Sequence, residues 1–220
     1  MKTVIFDLDG TLADTSVDLI AAANACFERA GFDAALDPVT DAATAFAGGR
    51  AMLHLGYERI GGDVSAQVER DYPYLLAWYG ENIDTNTVLY PGAVAAVEGL
   101  LSAGYAVGIC TNKPENLAED LMSRLGVRDL FASLIGADSL PQRKPDPAPY
   151  VAAVERAGGV VSASVLIGDT VTDRETARAA KVPSILVTFG PNGRGVLDLH
   201  PEGAIDEYGQ LRGEVARLIG

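Results

Sequence analysis

The chain has 220 residues, with 30 acidic against 17 basic side chains and a formal net charge of −13. A surface this acidic repels polyphosphate chains, whose binding depends on Lys and Arg releasing counterions, so nucleic acid and anionic membrane are excluded as main partners. An apolar share of 48% against a charged share of only 21% excludes a disordered acidic tail and describes a folded chain: one large domain, or a domain carrying a sizeable insertion.

In chain order, Thr3 to Phe6 is a β-branched and aromatic run ending on Asp7, and it reads as a buried strand. That run is too short for the hydrophobic part of a signal peptide. No stretch approaches the roughly 18 apolar residues of a membrane span. Cys26 and Cys110 form no CxxC and read as core residues of a reducing compartment, so the cytoplasm is the expected location. After Asp14 the pattern turns helical. Val17, Ile20, Ala23, Cys26, Phe27 and Ala30 recur at helical spacing with Gly31 as a stop, and Asp37 and Pro38 read as an N-cap followed by Pro at the first helical position. Further helical patterns cover 51–60 and 64–82. The sequence therefore predicts a helical insertion over 14–86, placed between two pieces of one α/β core, 1–13 and 87–220.

Beyond the insertion, strands and helices alternate. Strands are expected over 105–110, 133–135, 165–167 and 184–187, and helices over 115–125, 147–157 and 171–180, with Gly126 and Gly158 as stops. Strand then helix with short connections implies a doubly wound parallel sheet with right-handed crossovers.

Several signals then fall at the C-terminal ends of different strands. Asp7-Leu8-Asp9-Gly10-Thr11 follows the first strand, and D-x-D-G-T arises by chance roughly once in 10⁵ start positions at ordinary residue usage. A turn alone accounts for Asp-Gly, but not for two carboxylates desolvated at the end of a buried strand. Gly168-Asp169-Thr170-Val171-Thr172-Asp173 follows another strand, so Asp169 and Asp173 can face one pocket; Thr111 and Asn112 end a third; Lys144 precedes a helix of the same sheet. Each alone has an ordinary explanation, a helix cap for the first two groups and a solvated surface lysine for Lys144. Together they converge on the crevice where open α/β sheets bind ligands. Several carboxylates with no histidine partner, plus Thr and Lys, suggest oxygen coordination of Mg²⁺ next to a phosphate.

At these residues the sequence resembles the haloacid dehalogenase superfamily of phosphohydrolases, and within it the phosphoglycolate-phosphatase-like branch. The resemblance runs over nearly the whole chain and implies a Rossmann-like core with an inserted helical cap. It implies Asp7 as nucleophile and Mg²⁺ ligand. It implies Asp9 as general acid and then base, its backbone carbonyl on the metal. Asp169 would be a direct ligand, and Asp173 would hold a metal-bound water or orient Lys144. Gly10, Thr111, the Asn112 backbone and Lys144 would bind the phosphate, with Thr111 and Lys144 counted in the catalytic set. Arg50, flanked by Gly48 and Gly49 in the cap, is expected to take a substrate carboxylate bidentately, with a surface Arg opening a helix as the competing reading. His54, one turn on, is expected to pack.

Two positions depart from the family pattern: Arg174, where an aliphatic residue is usual, and Lys181, where a glycine is usual. They put the packing of the intervening helix in question and leave Arg174 free to reach towards the cap or a partner. The expected activity is hydrolysis of a small phosphorylated metabolite, 2-phosphoglycolate first, through an aspartyl-phosphate, by a monomer or homodimer. A hexose-phosphate mutase keeps the same residues and stays open. A receiver-like signalling domain also phosphorylates an Asp beside Mg²⁺, but it needs only about 120 residues and no cap.

Overall fold

The computed structural model describes residues 1–61 and 64–220. In chain order the elements are β1 (Thr3–Phe6), β2 (Ala13–Asp14), α1 (Ser16–Arg29), α2 (Ala42–Phe46), α3 (Gly49–Ile60), α4 (Val64–Glu81), β3 (Val88–Leu89), α5 (Ala93–Ser102), β4 (Ala106–Cys110), α6 (Glu115–Arg124), β5 (Ser133–Ile135), α7 (Ala148–Arg156), β6 (Ser164–Gly168), α8 (Val171–Ala180), β7 (Ser184–Val187), β8 (Gly203–Ile205) and α9 (Leu211–Ile219). They form two compact units, Met1–Ala13 with Leu89–Gly220, and Asp14–Val88.

The first unit is built on a six-stranded parallel sheet in the order β5-β4-β1-β6-β7-β8. Numbered along the core alone this is 3-2-1-4-5-6, the doubly wound order in which the direction of winding reverses beside the first strand. β1 therefore lies between β4 and β6, with Phe6 opposite Ile109 on one side and Ile167 on the other. Helices cover both faces of such a sheet, so a central strand has no solvated side. Val4, Ile5 and Phe6 are fully buried, and each side chain of this kind stabilises the fold by roughly 1.5–3 kcal/mol. Ile5, Cys110, Ile135 and Leu166 meet Tyr150, Ala153 and Val154 of α7 and Ala177 of α8 in one apolar cluster. Both cysteines are buried free thiols.

β8 extends the sheet past the last strand read from the sequence, and α9 follows it. β8 is only Gly203, Ala204 and Ile205, and Gly and Ala lack the bulky side chains that announce a strand. It is held by pairing with β7, where Leu186 lies opposite Ala204.

The second unit is helical. α1 buries Leu19, Ile20, Ala22, Ala23, Cys26 and Phe27, and Phe27 meets Tyr57 of α3 edge to face at 5.0 Å. Asp18, 1% exposed, accepts hydrogen bonds from the amides of Asn86 and Thr87 and from both their side chains. That satisfies a buried carboxylate while pinning the return of the chain onto the first turn of α1. The helix expected to open at Pro38 does not form there. Asp37 Oδ1 accepts from the amides of Val39 and Thr40, a local turn that competes with helix capping, and α2 begins only at Ala42. Among the described residues no helix is long and apolar enough to cross a membrane.

Candidate active site

The C-terminal ends of β1 and β6 deliver the carboxylates. Asp7 directly follows β1, its amide bonded to the Ile167 carbonyl at 2.8 Å, and its Oδ1 accepts from the Leu8 amide at 2.7 Å. The chain then turns sharply, with the amides of Leu12 and Ala13 both on the Leu8 carbonyl. Gly10 sits in that turn at φ +75°, and a Cβ there would lie 2.4 Å from Asp169 Oδ2. Glycine is required twice over, for the left-handed backbone and for the approach of the carboxylate. Gly168, without the left-handed backbone, likewise leaves room for Asp173, whose Cγ would lie 2.3 Å from an added Cβ.

Asp173 is in the first turn of α8 and closes a capping box with Thr170. Its Oδ2 accepts from Thr170 Oγ1 at 2.7 Å and the Thr170 amide at 3.1 Å, while its Oδ1 takes Lys144 Nζ at 2.7 Å. The ammonium also reaches Asp7 Oδ1 at 3.0 Å. Asp169 Oδ1 accepts from Thr11 Oγ1 at 3.0 Å, but Asp169 Oδ2 is buried without a hydrogen-bond partner. Asp7, Asp169 and Asp173 each offer an oxygen, all within 4.8 Å of one another.

Burial pushes the Asp7 carboxyl up to about 7, against the pull of Lys144, and Asp173 and Asp9 push in the same direction as burial. Asp169 is raised well above its ordinary value, first by burial and then by Asp173 and Asp7. Burial alone would depress Lys144, but Asp173 and Asp7 outweigh it and hold the ammonium charged. Two like charges at about 4 Å repel by on the order of 4 kcal/mol at an effective dielectric near 20. A buried trio of carboxylates with one orphaned oxygen is thus an all-oxygen donor set short of positive charge, which fits a hard divalent cation.

The remaining expected residues separate into three places. Thr111 is buried at the end of β4, its amide on the Ile135 carbonyl, and its hydroxyl oxygen accepts from the Lys113 amide at 3.1 Å. Asn112 donates from Nδ2 to the Lys144 carbonyl at 3.0 Å. Asp9 turns its carboxylate to Lys113 Nζ at 2.9 Å. Arg50 belongs to the helical unit, as the second residue of α3. Its Nε and Nη2 grip Glu69 at 2.9 and 3.3 Å, and its guanidinium lies 3.7 Å over the Tyr72 ring. His54 does not pack; it is exposed beside Glu58.

Lys113 escaped the sequence reading although a signal was present. It is one of four lysines in the chain and directly follows Thr111-Asn112. Asn192, whose Nδ2 reaches the Asp169 carbonyl at 3.2 Å, and Tyr208, whose hydroxyl donates to the Thr11 carbonyl at 2.6 Å, carried no such signal. The two departures from the family pattern are also explained. Arg174 turns into its own unit, donating to Glu202 at 2.6 Å, Ser184 Oγ at 3.1 Å and the His200 carbonyl at 2.8 Å. Lys181 ends α8 in the left-handed conformation at φ 58°, the task a glycine usually performs.

A doubly wound α/β sheet with carboxylates and a buried lysine at its switch point defines an α/β enzyme core that takes its ligand beyond the strand ends. Residues 4–187 match the model of the haloacid dehalogenase-like hydrolase family, and the chain belongs to that family. A phosphoglycolate phosphatase of Agrobacterium fabrum is 36% identical over 211 residues, covering 94% of this chain and 89% of its own. Another phosphoglycolate phosphatase, of Mesorhizobium japonicum, is 36% identical over 220 residues, covering 98% and 96%. A crystal structure from Lactobacillus delbrueckii subsp. bulgaricus has a TM-score of 0.84 over 99% of this chain and 98% of that chain, at 24% identity, a likeness of fold. The enzyme is a phosphoric monoester hydrolase.

Proposed function

We propose that this enzyme hydrolyses 2-phosphoglycolate, a small phosphomonoester, through an aspartyl-phosphate formed on Asp7 with Mg²⁺ as cofactor. The observation that carries this reading is the buried group of Asp7, Asp169 and Asp173 with its unpartnered Asp169 oxygen and Lys144 at 2.7 and 3.0 Å. The named relatives support the choice of substrate.

Asp7, Asp169, Asp173 and the backbone carbonyl of Asp9 would hold Mg²⁺, directly or through water. Bound there, the ion neutralises charge between the carboxylates and the phosphate. An Asp7 carboxylate oxygen attacks phosphorus, and the bond from phosphorus to the ester oxygen breaks. That oxygen takes a proton from the Asp9 carboxyl and leaves as the alcohol. Asp9, now a carboxylate, takes a proton from water as the water oxygen attacks phosphorus. The bond from phosphorus to Asp7 breaks, freeing the carboxylate and inorganic phosphate. Thr111, the Asn112 backbone and Gly10 would orient the phosphate oxygens, with Lys144 as a fixed charge.

In the same reading, residues 1–13 and 87–220 are the catalytic core and 14–86 the cap, working as a monomer or homodimer in the cytoplasm. Arg50 would bind the substrate carboxylate, exchanging it for Glu69. Its bidentate grip on Glu69 supports that chemistry, since a planar guanidinium fork matches any carboxylate.

Phosphate release from phosphoglycolate, sugar phosphates and nucleotides tests the proposal. Phosphoglycolate should be preferred, Asp7→Asn should abolish turnover, and EDTA should do so reversibly. Undiminished hydrolysis by Asp7→Asn overturns the mechanism. Conversion of a hexose 1-phosphate to its 6-phosphate without phosphate release would overturn the hydrolytic reading in favour of a mutase. Full phosphoglycolate preference in Arg50→Ala would remove Arg50 from the site.

A further inference from the structure

Two residues that reach towards Asp169, Tyr208 through Thr11 and Asn192 directly, come from a part of the chain beyond the family match, which ends at residue 187. Tyr208, after β8, is 3% exposed. Its ring packs tilted against Phe189, centroids 5.1 Å apart, and Phe189 lies 5.1 Å from Tyr90. The phenol donates at 2.6 Å to the backbone carbonyl of Thr11, a residue far away in sequence and itself fully buried. Thr11 Oγ1 in turn donates at 3.0 Å to Asp169 Oδ1, the oxygen next to the unpartnered Oδ2. Asn192 takes hold of the same residue from its backbone, at 3.2 Å from the Asp169 carbonyl. Burial drives the Tyr208 phenol above its ordinary range.

We propose that Tyr208 is a positioning residue for Asp169, acting through Thr11, and that the C-terminal segment thereby sets the enzyme's affinity for its divalent cation. The inference rests on the reading of Asp169 as a metal ligand. Two hydrogen bonds in series fix which carboxylate oxygen is occupied and which is presented. Tyr208 touches neither metal nor substrate. Without the phenol, the Thr11–Leu12 peptide keeps its anchor through the Leu12 amide on the Leu8 carbonyl but loses the one at the Thr11 carbonyl, and the Thr11 hydroxyl is directed less firmly. The Asp169 carboxylate then samples rotamers that the cation must reselect on binding. Outer partners of metal ligands are commonly worth roughly 10–100-fold in affinity. A partner one bond further out should be worth less, about 3–10-fold.

The experiment is a calorimetric Mg²⁺ titration of the purified full-length protein, with kcat and KM at saturating Mg²⁺ alongside. Tyr208→Phe keeps the ring and its packing against Phe189 and removes only the hydroxyl. It should weaken Mg²⁺ binding about 3–10-fold, with kcat restored when Mg²⁺ is raised to compensate. Thr11→Val cuts the relay at its other end and should weaken binding at least as much. Val215→Ala truncates a fully buried side chain of α9 outside the relay. It should lower the unfolding temperature and leave Mg²⁺ affinity where it was. Wild-type Mg²⁺ affinity in Tyr208→Phe, or an equal loss in Val215→Ala, overturns the proposal. Asp169→Asn separates the two levels. If it loses Mg²⁺ binding while Tyr208→Phe retains it, only the relay fails; if Asp169→Asn itself binds Mg²⁺ normally, the metal assignment fails and the relay with it.

Discussion

Lys144 Nζ lies 2.7 Å from Asp173 Oδ1, with the two side chains 1% and 0% exposed. A charge pair this deep is held together by mutual need: each ion has lost its water, and each is intolerable without the other. Asp173 spends its second oxygen on the start of α8, so the pair also fixes the helix that follows β6. Replacing Lys144 by Met removes the cation and leaves Asp7 and Asp173 facing each other. The expected cost in metal-free protein is about 3–5 kcal/mol, read from urea unfolding at pH 7 in EDTA. Part of it should return when Mg²⁺ supplies positive charge. A loss below about 1 kcal/mol would mean that the cluster tolerates its own repulsion.

The Asp169→Asn variant should behave in the opposite way. Asp169 is a buried carboxyl whose ionised form is disfavoured, first by burial and then by its acidic neighbours. Asn keeps the acceptor for Thr11 Oγ1 and removes the charge. In EDTA its unfolding temperature should equal or exceed that of wild type, while added Mg²⁺, worth about 2.7 kcal/mol to wild type at 100 times Kd, should do little for the variant. A metal-free Asp169→Asn protein clearly less stable than wild type would contradict the strain assigned to this carboxylate.

These contrasts mark what the sequence could reveal. The four positions Asp7, Asp169, Asp173 and Lys144 were legible because each stands at a strand end, in the first turn of a helix or, for Lys144, on the loop that leads into one, and local pattern locates such places. The alternation of strands and helices gave the winding of the sheet for the same reason. Asp37 misled because its side chain can cap a helix or close a turn, and only the surrounding packing decides between them. The partnership of Lys113 with Asp9, and of Tyr208 with Thr11, depends on which loops the completed sheet brings together. No spacing within one segment encodes that, and β8, with Gly and Ala ahead of a single Ile, lacks the bulky apolar run by which the equally short β5 is read.

Lys113 has a consequence for the chemistry assigned to Asp9. Its ammonium, on a side chain 3% exposed, lies 2.9 Å from Asp9 Oδ1 and so fixes the orientation of the proposed proton shuttle. Lys113→Met should lower kcat by roughly 10-fold or more, within the 10²–10⁴ that general acid–base catalysis commonly contributes, and leave KM less affected. The decisive measurement is a double-mutant cycle. In an Asp9→Asn background the Lys113 substitution should cause little further loss, because residues acting as a unit are not additive. Independent, multiplying losses would assign Lys113 to the phosphate instead.

The anchor between Arg174 and Glu202 predicts an acid-sensitive contribution to stability. Burial pushes the Glu202 carboxyl up, but the Ser184 amide and the Arg174 guanidinium outweigh it and hold the group below its ordinary value. A depressed carboxyl stabilises the fold above its unfolded value, about 4.3, and this contribution disappears as pH falls through the folded value below that. Because the Glu202 side chain is 41% exposed, solvent limits the effect to about 1 kcal/mol or less. Wild type should therefore exceed Glu202→Gln in stability at pH 7, with the gap closing below about pH 4. A gap that is constant from pH 7 to pH 3 would show that the carboxylate charge contributes nothing there.

Lys181 offers a test in the direction of gain. It ends α8 at φ 58°, where an L-residue with a Cβ is disfavoured by roughly 1–2 kcal/mol. Glycine accepts that backbone freely but makes the unfolded chain more flexible, which returns about 0.4–1 kcal/mol. The balance favours Lys181→Gly by about 0.5–1 kcal/mol, or roughly 1–4 °C in unfolding temperature for a chain of this size. Lys181→Ala keeps the Cβ and should gain nothing, which separates backbone relief from loss of the lysine charge. Since the side chain is exposed and α8 already begins from the Thr170 and Asp173 box, kcat should be unchanged in both. Equal stability of the two variants would place the cost elsewhere than in the left-handed backbone.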